Sequence, residues 1–182
     1  MTAGAEGRDP GWAWQRLMEN PDYVADWRAH AGPTVREAPP HVFRRQTEAD
    51  LKAARWNLLA WEDPRHPRWS APFWADLPMV EARVAEAGPA GRHSWHVLLR
   101  RTGARYSGVR LLDGTLVLRV SRGRETGQIS VVDGATFDPA LSGLEIRMPQ
   151  GRPAHHGWVR LKSLEPIVLR ESRVPPARPH GA

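Results

Sequence analysis

Tyr106-Ser107-Gly108-Val109-Arg110-Leu111-Leu112-Asp113-Gly114-Thr115-Leu116-Val117-Leu118-Arg119-Val120 is the stretch on which the fold of this 182-residue chain turns. Two β-forming runs flank Asp113-Gly114, a dipeptide favoured in two-residue hairpin turns because both positions tolerate positive φ. Paired across those two residues, Leu111 stands opposite Leu116 and Val109 opposite Leu118. This register predicts one core face made of those four side chains. The other face then carries Tyr106, Arg110, Val117 and Arg119, with the two arginines as diagonal neighbours.

The pattern extends on either side of the hairpin. Tyr106–Leu112 and Thr115–Val120 are its own strands, and His93–Arg101 and Gln128–Val132 also carry β-formers between turn residues. Weaker strands are expected at Leu144–Met148, Trp158–Lys162 and Ile167–Arg170. The proline-rich residues 172–182 read as a disordered tail.

Towards the N-terminus the periodicity changes to helical. Asp9-Pro10 is a helix start, and Trp14, Leu17 and Met18 fall at i, i+3 and i+4 on one face. Asn20-Pro21 ends that helix and opens another, with Asn20 as the cap and Asp22 near the positive end of the dipole. Tyr23 and Trp27 lie one turn apart in it, and Gly32-Pro33 closes it. Residues 33–46 hold three prolines and read as a loop. Thr47 to Asp50 has capping-box spacing and opens a predicted helix over 47–60. Leu51, Ala54 and Leu58 form one apolar stripe of that helix, and Ala53, Trp56 and Ala60 form a second. Trp14, Leu17, Tyr23, Trp27, Leu51 and Leu58 are expected to lie buried together as the helical core. Glu62-Asp63-Pro64 stops it, and a short helix over 77–87 follows. The fold class is therefore α+β: an N-terminal helical module followed by a small antiparallel sheet or partial barrel.

Composition divides at the same place. Of nine tryptophans, seven precede residue 75. Residues 1–87 hold 11 Lys+Arg against 13 Asp+Glu, a net of −2, whereas residues 88–182 hold 15 against 7, a net of +8. The Gly88-Pro89-Ala90-Gly91 breaker marks the boundary. The expected organisation is a flexible segment 1–8, a tryptophan-rich helical module 9–88, a basic β-rich module 92–171 and the tail 172–182. Only Lys52 and Lys162 are lysines among the 26 basic residues. Guanidinium forks onto carboxylates and phosphates, which suits an anionic partner, although an arginine-rich genome produces the same bias.

Several function classes drop out. With no cysteine there are no disulfides, thiolate metal sites or cysteine nucleophiles, as expected of a reducing compartment. Met1 to Asp9 lack the apolar run of a signal peptide, and no stretch reaches the roughly 18 apolar residues of a membrane span. A cytoplasmic chain is expected. His93-x-x-His96 and His155-His156 hint at a metal, yet i and i+3 on a strand point to opposite faces and no carboxylate cluster completes a set. Glu62-Asp63 is better read as a helix stop than as a catalytic pair. Phosphate-cradling, dinucleotide and nucleophile-elbow motifs are missing. No catalytic residue, cofactor, metal or small-molecule substrate is predicted.

Two aromatic blocks carry a resemblance. The run from Trp12 to Tyr23 (Trp12-Ala13-Trp14, then Asn20-Pro21-Asp22-Tyr23), with Trp27 after it, is followed by Ala54-Arg55-Trp56-Asn57-Leu58, Glu62-Asp63-Pro64 and Ala71-Pro72-Phe73-Trp74. Over residues 9–75 this resembles the transcriptional-regulator-like domain of proteobacterial proteins, many of them on integrative and conjugative elements. The resemblance implies a role in transcriptional control. Longer relatives continue into a helix-turn-helix-like DNA reader, and no helix pair with a short turn follows residue 90 here. A second polypeptide carrying such a reader is the implied partner.

Two surfaces then compete. An arginine face of Arg110 and Arg119, continued by Arg122 and Arg124 in the loop Ser121–Glu125, would meet the phosphates of DNA. Trp12 points about 160° away from the buried face of its helix and would anchor a protein partner. The leading expectation is a transcriptional or accessory regulator that binds DNA through the arginine face. The alternative is a protein-interaction module, an anti-activator or the N-terminal piece of a split activator, that does not bind DNA itself.

Overall fold

The computed structural model describes residues 10–37, 43–65, 72–76, 79–86, 94–97, 103–122 and 125–146. Helix α1 spans Pro10–Met18 and α2 Pro21–His30. Asn20 caps α2 as expected, its side-chain oxygen accepting from the Asp22 backbone N–H at 2.9 Å. A 3-10 helix occupies Glu48–Trp56, opened by the Thr47/Asp50 box: the Asp50 carboxylate accepts from the Thr47 N–H at 2.9 Å.

Seven strands follow in chain order: β1 Val35–Arg36, β2 Arg44–Arg45, β3 Met79–Glu86, β4 Arg105–Arg110, β5 Leu116–Arg122, β6 Glu125–Val131 and β7 Ser142–Ile146. They form one sheet in the order β1-β2-β4-β5-β6-β3-β7. The class is α+β. The sheet is mixed, because β2 joins β4 and β3 joins β6 in parallel, while the remaining pairs are antiparallel.

Several expectations are corrected here. The segment 33–46 supplies two short strands, and the helix expected over 77–87 is β3. Met79-Val80-Glu81-Ala82-Arg83-Val84 alternates in period two, with Ala82 buried and Glu81 and Arg83 exposed, so the strand reading wins over the helical one. Conversely, 95–97 within the expected strand His93–Arg101 is a helical turn. The sheet thus draws β1, β2 and β3 from before Gly88, and β3 sits between β6 and β7. The Gly88 breaker, the expected strands at 158–162 and 167–170, and the tail all lie outside the described residues.

The hairpin register is the decisive correction. The loop between β4 and β5 has three residues beyond its closing pair: the Leu111 N–H donates to the Thr115 carbonyl (2.8 Å), and the Gly114 N–H to the Leu111 carbonyl (3.0 Å). Gly114 takes φ +89°, a conformation that glycine enters without a Cβ penalty. The extra loop residue pairs Arg110 with Leu116, Val109 with Val117, and Ser107 with Arg119. A slip of one residue flips every side chain to the other face. Leu116, Leu118 and Val120 therefore face one core with Phe43, Trp95, Ile129 and Phe137, whereas Val109 and Val117 face a second with Ala60 and Phe73. Both sheet faces are covered.

The layer on the second face is held by aromatic and polar contacts. Trp14, Tyr23, Leu58, Trp61 and Trp74 form a third core, with the Tyr23 ring edge-on to Trp14 at 5.9 Å and to Trp56 at 5.6 Å. Leu17 and Trp27, expected inside, pack on it half-buried. Chain 57–59 pairs with 73–75 through an isolated antiparallel bridge, Leu58 with Trp74. Gln128 of β6 grips this bridge: the Trp74 N–H donates to its Oε1 (2.7 Å) and its Nε2 donates to the Trp74 carbonyl (2.8 Å).

Candidate functional site

The corrected register separates the predicted arginine pair. Arg110 shares a face with Leu116, and Arg119 shares the opposite face with Ser107, so they are not diagonal neighbours. Arg110 is clasped by Glu37 through both terminal groups, Nε to Oε1 and Nη2 to Oε2, with both side chains mostly shielded. Arg119 lies inward, its guanidinium 4.9 Å from the Phe73 ring centroid. Arg122 ends β5 half-buried, and Arg124 lies outside the described residues. Arg110 and Arg119 therefore share no face. A two-residue turn was the assumption that joined them, and the third loop residue removes it.

Trp12 stands where the helical phase places it. Trp14 is fully buried while Trp12 on the other side of α1 is 46% exposed, with the Arg16 guanidinium over its ring at 5.1 Å. His96 is exposed and shares a 3.1 Å contact with the Tyr106 hydroxyl, whereas His93, His155 and His156 lie outside the described residues. Among the described residues no group of three or more histidines and carboxylates is placed to hold a metal ion. Nor is any described helix long and apolar enough to cross a membrane.

The feature that sequence reasoning missed is a cleft of about 480 Å³ where the C-terminal end of α2 and chain 61–63 overhang the sheet. Its charged lining is Arg28, Arg36, Arg44 and Arg119 against Glu62 and Asp63, beside the aromatic rings of Trp27, Trp61 and Phe73. Register alone brings three of the basic groups to one sheet face. Arg36 pairs with Arg44 across β1 and β2, and Arg44 pairs with Val109, whose face is that of Ser107 and Arg119. No periodicity could reveal this, because β1 and β2 are two residues each and read as loop.

Arg44 is the structural anchor of the cleft. It donates to the Asp50 carboxylate (2.6 Å) and the Trp61 carbonyl (2.5 Å), and lies 4.0 Å from Glu62. Asp50, itself buried, also accepts from the Trp61 N–H at 2.9 Å. A buried carboxylate without such partners would cost several kcal/mol, so Arg44 and Asp50 require one another. Asp63 is engaged by Arg65 at 2.7 Å. Burial pulls the Arg119 guanidinium below its ordinary value, partly offset by the negative charge of Glu62. Such a group stays charged at neutral pH and is stabilised by a nearby anion.

Neither a scan of protein-family models nor a comparison with curated proteins finds a match to this chain.

Proposed function

We propose that this chain is a non-catalytic component of transcriptional control that works by gripping a second regulatory protein, with Trp12 as the anchor. The observation that carries this reading is the contrast within α1: Trp14 is sealed in the core, while Trp12, two residues earlier, is 46% exposed beneath Arg16. Tryptophan and arginine are the residues most enriched where binding energy concentrates at protein interfaces. The resemblance of residues 9–75 to a transcriptional-regulator-like domain supports the regulatory setting. The partner would supply a helix-turn-helix reader, which is not found among the described residues.

Direct DNA binding is the competing reading, and it has lost its geometric support at Arg110 and Arg119. What remains for it is charge. Of the 15 basic residues after position 87, only Arg105, Arg110, Arg119 and Arg122 lie among the described ones.

The test replaces Trp12 with a photo-crosslinking phenylalanine analogue in cells of the source organism, followed by identification of the captured protein. A DNA-binding regulator captured at position 12, and its loss from co-purification with Trp12→Ala, is the expected result. Tight binding of duplex DNA by the purified chain alone, with affinity falling linearly against log salt and no protein captured, would favour the DNA reading instead.

A further inference from the structure

We propose that the sheet edge at β1 takes up an extended, acidic segment of a partner protein as an added strand, with Arg36 as its charge anchor. The sheet ends on β1 at one side and on β7 at the other. The two edges differ in access. In β7, Ser142, Gly143 and Leu144 are all buried, so that edge is shielded. At the other side Gly32 to Arg36 is an unbroken exposed run, with Val35 41% exposed.

Hydrogen-bond phase sets what the open edge offers. The Glu37 N–H donates to the Phe43 carbonyl at 2.8 Å, and Val35 pairs with Arg45 two residues along. Antiparallel partners alternate between bonded and non-bonded pairs, so Glu37 and Val35 turn their backbone groups toward β2. Arg36, between them, turns its N–H and carbonyl away from the sheet. No strand lies on that side among the described residues. An outward donor and acceptor on an edge strand are the groups that an added peptide strand bonds, and flanking side chains then select its sequence.

Charge selects the partner. The Arg36 side chain shares a face with Arg44, and Arg28 lines the same cleft. Val35 lies on the opposite face beside Arg45. Arg28, Arg36 and Arg45 are exposed, and none makes an ion pair among the described residues. Glu37, next in the chain, is held by Arg110. A strand laid along β1 puts one side chain beside Arg36 and its neighbours on the face of Val35. A carboxylate in the first place and apolar β-formers in the second satisfy both faces. A second copy of this chain fits poorly. Antiparallel self-pairing through the Arg36 backbone groups sets Arg36 opposite its counterpart, and like charges directly opposite are destabilising. Nucleic acid offers phosphates but no complementary row of backbone N–H and carbonyl groups. None of these residues belongs to α1, so the inference does not depend on the Trp12 reading.

Fluorescence anisotropy of the full chain decides it, with a labelled peptide of alternating glutamate and valine as the probe. Two peptides of the same length serve as controls: one with lysine for glutamate, and one N-methylated throughout, which keeps the charge and removes the N–H donors. The expected result is saturable binding of the probe and roughly tenfold weaker binding of both controls. Arg36→Glu should weaken the probe by about tenfold or more and strengthen the lysine peptide, with the circular dichroism unchanged because Arg36 is exposed. Absence of saturable probe binding would overturn the proposal. So would equal binding of either control, or an unaltered preference in a folded Arg36→Glu protein. Tighter binding of single-stranded oligodeoxythymidylate at the same edge would assign it to nucleic acid, and a dimer that the probe dissociates would assign it to a second copy; either overturns the proposal.

Discussion

Tyr23 and Tyr106 are the two tyrosines of the chain, and the tertiary structure holds both in the neutral form beyond the ordinary range. Burial pushes the Tyr23 phenol strongly upward; its hydroxyl donates to the Glu62 carbonyl at 2.6 Å. Burial also raises Tyr106, aided by the negative charge of Asp138. The unfolded chain ionises its tyrosines near pH 10. A raised folded value means that the stabilisation is fully present below about pH 10 and is lost as pH climbs toward the folded value. Tyrosinate absorbance of the native protein should therefore stay low past pH 10, with Tyr106 ionising before Tyr23. Stability should fall over the same alkaline window, and Tyr23→Phe should flatten that fall. A native titration in which either tyrosine ionises near 10 would contradict the burial described. Residue-scale chemistry of this kind is barely legible in a sequence. Helical spacing placed Tyr23 on an inner face, but the carbonyl it meets belongs to a residue 39 positions away.

At the scale of elements, the capping signals stand as expected, whereas the phase of the helix after Thr47 and of the hairpin strands does not. The Asn20-Pro21 cap and the Thr47/Asp50 box need only neighbouring residues, and both stand as expected. The helix they open at Glu48, however, is 3-10, with three residues per turn, so i and i+3 eclipse. Asp50, Ala53 and Trp56 consequently share the inner column, whereas Leu51, expected inside, is 53% exposed and Ala54 is exposed beside it. Asn57 ends the helix in the left-handed region at φ 60°, well before Glu62-Asp63-Pro64. Asn57→Val should cost about 1–2 kcal/mol, because a β-branched side chain is strained at positive φ, while Asn57→Gly should be tolerated. Leu51→Ala should change stability by no more than about 0.5 kcal/mol. Urea melts of the three variants check this, and a large loss at Leu51 would restore the α-helical phase.

For the whole molecule, the interleaving of strands matters more than the change in composition at Gly88. β3, from the tryptophan-rich part, separates β6 from β7, and Gln128 of β6 closes both backbone groups of Trp74. The helical layer and the sheet should therefore unfold together. Tryptophan fluorescence, dominated by the seven tryptophans before residue 75, and far-ultraviolet circular dichroism should trace one coincident urea transition. Gln128→Ala leaves two buried backbone groups without a partner and should cost at least ~2 kcal/mol. Two separated transitions would show that the layers are independent modules after all.

By itself the sequence determined the α+β class, the caps of α2 and the 3-10 helix, the two strands around Asp113-Gly114, a strand within Gln128–Val132, and the outward direction of Trp12. Each depends on residues within a few positions of one another, whose spacing records local geometry directly. Tertiary structure alone decided the hairpin register, the insertion of β3, and the company each arginine keeps. One extra residue in the Leu112–Gly114 loop turned Arg119 inward to Ser107 and left Arg110 to Glu37. Side chains alternate in period two along a strand, so an ambiguity of one residue in a turn inverts a whole face. The arginine cleft exists because pairing distant in sequence, β1 to β2 to β4 to β5, gathers charges that are scattered along the chain.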